Sequence, residues 1–204
     1  MIVYGRNLSP FVRRVVMWLM LQQRAFEQRA VAMTEAADRE TLRAVNPVMR
    51  VPTVVCDDGA VLTECAAICD WLDETAPAHR LVPASGAARR DCLSRIAIVS
   101  AATDKGVALF YEAARRPEAF RWADWMQHLT GQVTGGMGQL EALAPAEGFF
   151  GGDRPDGSDL AATCLMDFVP VTSPHLLEGA PYPALAALAG RVNALPGLGE
   201  TRPR

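Results

Sequence analysis

The fold is decided by residues 46–68, which read NPVMRVPTVVCDDGAVLTECAAI. Residues 50–55 predict a β-strand with a proline near its start, because β-branched residues favour strands. The turn residues at 57–59 and the apolar run at 60–62 predict a hairpin and its return strand. Residues 63–68 then open a helix. The stretch therefore predicts an antiparallel strand pair that runs directly into a helix.

Two features of this stretch point to a binding pocket. Pro52 cannot donate a hydrogen bond to a strand neighbour, so it belongs at an edge or at the first position of a strand. Glu64 lies in the first turn of the predicted helix, where the helix dipole favours negative charge. Side by side, the two features suggest a pocket that holds the backbone and carboxylate of a small peptide.

The segments before this stretch complete an α/β half. Residues 1–5 predict a short buried strand, and residues 9–24 predict a helix with apolar side chains at helical spacing. Residues 26–31 predict a second strand, and residues 34–45 a short polar helix. A strand–helix–strand unit implies parallel pairing, whereas the later hairpin implies antiparallel pairing. We therefore predict a small mixed sheet.

The composition changes after residue 73, and the second half predicts helices only. The segment around residues 76–86 is rich in Pro, Gly and Ala without periodicity, which is typical of a linker. Helical patterns follow at 87–115, 117–143, 156–168 and 182–195. Asp156 lies three residues before Asp159, a spacing that predicts a capping box. The predicted organisation is a domain at 1–76, a linker at 77–86 and an all-α domain at 87–204.

Composition narrows the possible functions. The chain has 204 residues, and half of them are apolar. Its net charge of −3 does not indicate a basic surface for binding nucleic acid or anionic lipid. Its apolar runs are too short for a membrane span, and no signal peptide is evident. Five cysteines without CxxC spacing predict reduced thiols in the cytoplasm. The three histidines are scattered, so no metal site is expected.

Several local patterns, taken in order along the chain, resemble the cytosolic glutathione transferases. They are SPFVRRV at 9–15, similar to serine-type and especially tau-class members, NP at 46–47 with RVP at 50–52, LTECAAI at 62–68, DGSDL at 156–160, and the ending at 182–196. The resemblance implies a thioredoxin-like N-terminal domain with a mixed sheet, followed by an all-helical C-terminal domain.

The resemblance implies that Ser9 is catalytic. Glutathione reacts as a thiolate, and a hydroxyl at a helix N-terminus can donate a hydrogen bond that favours the ionised sulfur. The residues alone favour another role equally well, because Ser9 followed by Pro10 is a typical N-cap with proline at the first helical position. The two roles are compatible.

The resemblance also assigns a glutathione site to Phe11, Arg50, Val51, Pro52, Glu64 and Cys65. Pro52 is expected to be cis, so that the backbone of Val51 meets the cysteinyl part of glutathione. Glu64 and Cys65 would receive the γ-glutamyl end, and Arg50 the glycine carboxylate. Trans Pro52 on an edge strand and a solvent-exposed Arg50 are the alternatives.

Cys65 departs from the family pattern, in which a serine stands at this position. The missing hydroxyl removes a hydrogen-bond donor, so we expect weaker glutathione binding. Cys65 is either a small buried apolar side chain or, at a helix N-terminus, a reactive thiolate able to form a mixed disulfide with glutathione.

Phe11, Val107, Phe110 and Tyr111 are candidates to line a pocket for an electrophile, with core packing as the alternative. The resemblance implies a cytoplasmic, homodimeric transferase in detoxification, with glutathione as co-substrate and a small hydrophobic electrophile as partner. No metal, nucleic acid or membrane partner is expected. The alternatives are a glutathione-dependent thiol–disulfide oxidoreductase that uses Cys65, and a non-catalytic binding or regulatory protein. The sequence does not identify the electrophile.

Overall fold

The computed structural model describes residues 1–179 and 182–203. These residues form two compact units. The first contains Met1–Val82 together with the segment from Pro196 onward, and the second is Pro83–Leu195. The C-terminal segment, assigned above to the helical domain, thus belongs to the first unit.

A four-stranded sheet forms the centre of the first unit. Its strands are β1 (Ile2–Tyr4), β2 (Glu27–Arg29), β3 (Thr53–Val55) and β4 (Val61–Thr63), in the spatial order β2-β1-β3-β4. β1 is parallel to β2 and antiparallel to β3, and β3 is antiparallel to β4. The predicted mixed sheet is confirmed.

Three helices pack with this sheet: α1 (Pro10–Leu21), α2 (Ala36–Val45) and α3 (Cys65–Thr75). The apolar face predicted for α1 is buried, with Val12, Val15 and Leu19 fully inaccessible to solvent. The helix ends earlier than the predicted residue 24. The chain leaves the helical conformation at Gln23, whose φ is 55°.

A buried carboxylate explains why the first unit extends beyond residue 76. Asp73 accepts hydrogen bonds from Trp18 Nε1 at 2.8 Å and from Gln22 Nε2 at 2.9 Å. It also accepts from the backbone N–H groups of Leu81, at 3.0 Å, and Val82, at 2.8 Å. Part of the segment predicted as a linker is therefore tied to α1 and α3.

The second unit is helical in its described part, apart from one isolated bridge between Phe149 and Gly152. Its helices are α4 (Gly86–Arg115), α5 (Ala123–Leu143), α6 (Gly157–Thr172) and α7 (Pro183–Asn193). The all-helical prediction is confirmed. Among the described helices, none combines the length and apolar character that crossing a membrane requires.

Helix α5 begins at Ala123, whereas the sequence pattern predicted a start at Pro117. A 3₁₀ turn, Glu118–Phe120, occupies the intervening segment. The Arg121 guanidinium donates to the backbone oxygen of Arg116 at 3.1 Å, and the N–H of Trp122 donates to Glu112 at 3.3 Å. These contacts satisfy backbone groups outside a helix, and so they hold the segment as a turn.

The predicted capping box at the start of α6 is confirmed. Asp156 accepts from the N–H groups of Ser158 at 2.7 Å and Asp159 at 3.3 Å, and Asp159 accepts from the N–H of Asp156 at 2.8 Å. Arg95 on α4 donates to Asp156 at 3.1 Å, which joins the cap to the neighbouring helix.

Candidate functional site

Ser9 is the N-cap of α1, as the sequence predicted. Its Oγ accepts a hydrogen bond from the N–H of Val12 at 3.3 Å, and Pro10 occupies the first turn. A serine hydroxyl has two acceptor lone pairs and one proton. The capping bond uses a lone pair, so the proton can be donated to another group. Ser9 is half-buried, and its hydroxyl can cap the helix and donate a hydrogen bond at the same time.

The peptide bond between Val51 and Pro52 is cis, as predicted. Pro52 is buried and Val51 half-buried, directly before β3. The sequence analysis did not identify what holds this loop. Asn46, which is 3% exposed, donates to Thr53 Oγ1 at 2.9 Å and to the backbone oxygen of Arg50 at 3.3 Å. The sequence signal for this role was an asparagine at a turn, because asparagine side chains often form hydrogen bonds with nearby backbone groups.

Glu64 is the N-cap of α3 and has an unusual backbone conformation. Its φ is 73°, a region that side-chain-bearing residues rarely adopt and that costs about 1–3 kcal/mol. Its Oε1 accepts from the N–H of Cys65 at 2.9 Å, while its Oε2 lies 3.8 Å from Arg50 Nη2. The structure therefore brings Arg50, Glu64 and Cys65 together.

The N-terminus of α3 already carries a carboxylate in this structure, because Glu64 accepts from the N–H of Cys65, a residue expected to receive the γ-glutamyl end of glutathione. A ligand carboxylate at the same N–H must displace Glu64 Oε1. Both the Arg50 and Glu64 side chains are more than half exposed, at 59% and 58%, so their ion pair is weak and can rearrange.

Cys65 is buried, with 2% of its surface exposed, and its Sγ lies 4.0 Å from Cys69 Sγ. A hydrogen bond from Cys69 lowers the pKa of the Cys65 thiol, burial opposes this, and the positive charge of Arg14 lowers it further. Burial raises the pKa of Cys69. The sequence analysis missed Cys69 and Arg14, although the spacing of Cys65 and Cys69 places them on one side of a helix.

The remaining predicted residues are distributed over both units. Phe11 on α1 is half-buried, and the Arg14 guanidinium lies over its ring at 5.6 Å. Val107, Phe110 and Tyr111 lie on α4 in the second unit, where the rings of Phe110 and Tyr111 are 5.8 Å apart. Their role toward an electrophile stays a prediction.

A cleft of about 620 Å³ in the first unit was not predicted from the sequence. It is lined by the segment that leads into Ser9, by the end of β2 and by the C-terminal segment: Arg6, Asn7, Leu8, Gln28, Ala30, Glu200 and Arg202. The cleft contains none of the predicted site residues. In the described part of the chain, no group of three or more His, Cys, Asp or Glu side chains is arranged to hold a metal ion.

Comparison with known families assigns the first unit. Residues 3–80 match the model of the glutathione S-transferase N-terminal domain. A mixed sheet followed by helices is also the arrangement of the complete glutathione S-transferase fold. The N-terminal domain is therefore similar to that of the glutathione S-transferases, and the fold of the chain is the glutathione S-transferase fold. This agrees with the resemblance found in the sequence, whereas the serine-type and tau-class details are not tested by it.

Several known proteins are similar to this chain over nearly its whole length. A probable maleylacetoacetate isomerase of Vibrio cholerae is 29% identical over 212 residues, which cover 100% of this chain and 95% of that protein. A glutathione transferase family member of Pseudomonas fluorescens, solved with bound glutathione, is 26% identical with a TM-score of 0.85, covering 100% of this chain and 98% of that one.

A glutathione S-transferase of Methylobacterium radiotolerans, solved in complex with glutathione sulfonate, has a TM-score of 0.90. It covers 99% of this chain and 94% of that chain. At 24% identity, this likeness shows the fold alone.

Proposed function

We propose that this protein binds glutathione in its first unit and stabilises the glutathione thiolate with Ser9 for attack on a small electrophile. The observation that carries the proposal is the Ser9 hydroxyl at the N-terminus of α1, in a domain similar to that of the glutathione S-transferases. The bound glutathione of the Pseudomonas fluorescens relative supports the choice of ligand.

The energetics are sufficient for this role. Lowering the pKa of the glutathione thiol by about two units requires about 2.7 kcal/mol of preferential stabilisation of the thiolate. A hydrogen bond to a charged group contributes about 1.5–3 kcal/mol, and a helix N-terminus adds about 0.3–1 kcal/mol. The Ser9 hydroxyl can donate the hydrogen bond, and the N-terminus of α1, where Ser9 lies, supplies the second contribution.

The other end of glutathione is proposed to bind at α3. Its γ-glutamyl carboxylate replaces Glu64 Oε1 at the N–H of Cys65, and the released Glu64 carboxylate then accepts from the ligand ammonium. Arg50, released from its weak ion pair with Glu64, meets the glycine carboxylate, while the backbone of Val51 receives the cysteinyl part. The strained conformation of Glu64 supports this assignment, since such strain is concentrated at functional sites.

Replacing the Ser9 hydroxyl tests the catalytic role. We expect Ser9→Ala to bind glutathione with nearly unchanged heat in calorimetry. The rate of conjugation to a chromogenic electrophile should fall by about 10- to 150-fold, the loss expected when a hydrogen bond worth about 1.5–3 kcal/mol is removed. Ser9→Thr keeps a hydroxyl and should restore most of the rate. Ser85→Ala, at the N-cap serine of α4, whose side chain makes no capping bond, is the control for loss of a hydroxyl at a helix start. Unchanged turnover in Ser9→Ala would exclude Ser9 from the mechanism.

Isomerisation is the second candidate function, because the Vibrio cholerae relative that spans this whole chain is a probable maleylacetoacetate isomerase. A stabilised thiolate that adds reversibly to a conjugated cis double bond allows rotation about it and then leaves. Glutathione is consumed in conjugation but regenerated in isomerisation. Measuring glutathione consumption with a maleyl-type substrate separates the two activities, and binding without either reaction would indicate a non-catalytic protein.

The proposed function also includes an oligomeric state and a binding site for the second substrate. We propose a homodimer, and a small hydrophobic electrophile that contacts Val107, Phe110 and Tyr111. Sedimentation measurements test the first part. Replacing Tyr111 with alanine tests the second, since the KM for the electrophile should rise while glutathione binding is unchanged.

A further inference from the structure

Two buried thiols face each other on α3. Cys65 and Cys69 are four residues apart, and their Sγ atoms are separated by 4.0 Å. They are only 2% and 7% exposed. Helix geometry places Cα atoms four residues apart at about 6 Å, which lies inside the range of about 4.4–6.8 Å that a disulfide spans. The Cβ atoms at this spacing are about 5–6 Å apart and a disulfide needs about 3.5–4.5 Å, so bonding the two sulfur atoms also requires the first turn of α3 to adjust.

The charges around the pair make the two thiols unequal. Cys65 is the first residue of α3, and a helix N-terminus favours a thiolate. The hydrogen bond from Cys69 lowers the pKa of Cys65, burial and the charge of Glu64 oppose this, and the charge of buried Arg14 lowers it further, while burial raises the pKa of Cys69. By contrast, burial raises the pKa of Cys92 to about 12. Cys65 is thus suited to act as the nucleophile and Cys69 as the thiol that resolves the product.

We propose that Cys65 and Cys69 form a redox-active dithiol that a hydroperoxide converts to a disulfide within α3. The Cys65 thiolate attacks the peroxide: an S–O bond forms, the O–O bond breaks, and the released alkoxide takes up a proton to leave as an alcohol, or as water when the oxidant is hydrogen peroxide. The Cys69 sulfur then attacks the sulfur of the Cys65 sulfenic acid. An S–S bond forms, the S–O bond breaks, and the hydroxyl leaves as water with the Cys69 proton.

The location of the pair gives this oxidation a consequence. Disulfide formation draws the two Sγ atoms from 4.0 Å to about 2 Å, which moves the first residue of α3 relative to Glu64. If the N–H of Cys65 binds glutathione, as proposed above, oxidation weakens that binding. This consequence rests on the proposed function, whereas the thiol chemistry does not.

Peptide mapping of the wild-type protein decides the proposal without any binding assay. The intact protein is treated with hydrogen peroxide, its remaining thiols are alkylated, and it is cleaved after Glu64 and Glu74. The resulting peptide, residues 65–74, contains Cys65 and Cys69 and no other cysteine. We expect this peptide to lose about 2 Da, as two hydrogen atoms, and to regain two alkylatable thiols after dithiothreitol treatment.

Three variants assign the roles. In Cys69→Ser, oxidation by peroxide should stop at the sulfenic acid of Cys65, which dimedone traps. In Cys65→Ser, Cys69 should remain alkylatable. Cys92→Ser is the matched control, another buried helical cysteine, and should form the disulfide as the wild type does. Circular dichroism checks that each variant is folded. The proposal is overturned if peptide 65–74 remains fully alkylatable under peroxide doses that oxidise the other cysteines, or if single-thiol oxidation to sulfinic acid occurs in its place.

Discussion

At the residue scale, the candidate site depends on the carboxylate of Glu64. This side chain caps α3 through the N–H of Cys65 and also lies 3.8 Å from Arg50. A glutamine at the same position keeps an oxygen that can accept the capping bond but loses the negative charge. Stability and ligand binding should therefore respond differently to the change.

We predict that Glu64→Gln changes the free energy of unfolding by less than about 1 kcal/mol, because the ion pair is exposed. In the same variant, glutathione binding should weaken by about tenfold, since the ammonium of the ligand loses a charged acceptor. Urea unfolding and calorimetry measure the two effects. Glu74→Gln, at the exposed end of the same helix, is the control and should bind glutathione normally. Equal binding by the two variants would contradict the role of Glu64.

Several residues of the site could be found from the sequence because their signals are local. Ser9 precedes a proline at a helix start, and Glu64 opens a helix directly after a hairpin. Arg14 could not be found in this way. A charged residue on a helix is normally placed on the exposed face, and the burial of Arg14 beside Cys65 depends on how α1 and α3 pack.

At the element scale, the start of α6 is a polar cluster buried in a helical unit. Asp159 is fully buried, yet accepts from the N–H groups of Phe150 and Asp156, both at 2.8 Å. Burial outweighs these donors and raises the pKa of Asp159 to about 6. The start of α6 was predicted correctly because its cap is formed by residues close in sequence. The start of α5 depends on contacts with Glu112 on α4 and with Arg116, the residue that follows α4.

The raised pKa of Asp159 predicts a pH dependence of stability. The unfolded chain releases this proton near pH 4 and the folded chain near pH 6, so the protonated form stabilises the fold. This contribution is complete below about pH 4, decreases as the pH rises to about 6, and is absent above that. Urea unfolding at pH 5 and pH 7.5 should show the loss in the wild type. In Asp159→Asn, the difference in the free energy of unfolding between pH 5 and pH 7.5 should be smaller. A difference equal to that of the wild type would show that Asp159 does not cause the pH dependence.

At the scale of the whole molecule, the division into an α/β half and a helical half follows from the sequence. Strand signals end with the hairpin, and helical periodicity dominates the rest. The return of the C-terminal segment to the first unit does not follow, because the contact joins residues far apart in the chain. Arg13 Nε donates to Thr201 Oγ1 at 3.0 Å across 188 positions, and no local pattern encodes that pairing.

Removing this segment should destabilise the first unit. Leu198 is fully buried there, and Thr201 is 6% exposed. A chain ending at Leu195 loses the burial of Leu198, worth about 2 kcal/mol, and the hydrogen bond from Arg13, worth about 1 kcal/mol. Hydrogen exchange of α1 amides should accelerate in the truncated chain, because opening of the first unit becomes easier. Thr201→Val keeps the packing and removes the hydrogen bond from Arg13 and the one that Thr201 Oγ1 donates to the backbone oxygen of Leu198, so it should show a smaller acceleration. Equal protection of α1 in all three proteins would mean that the segment adds nothing to the stability of the first unit.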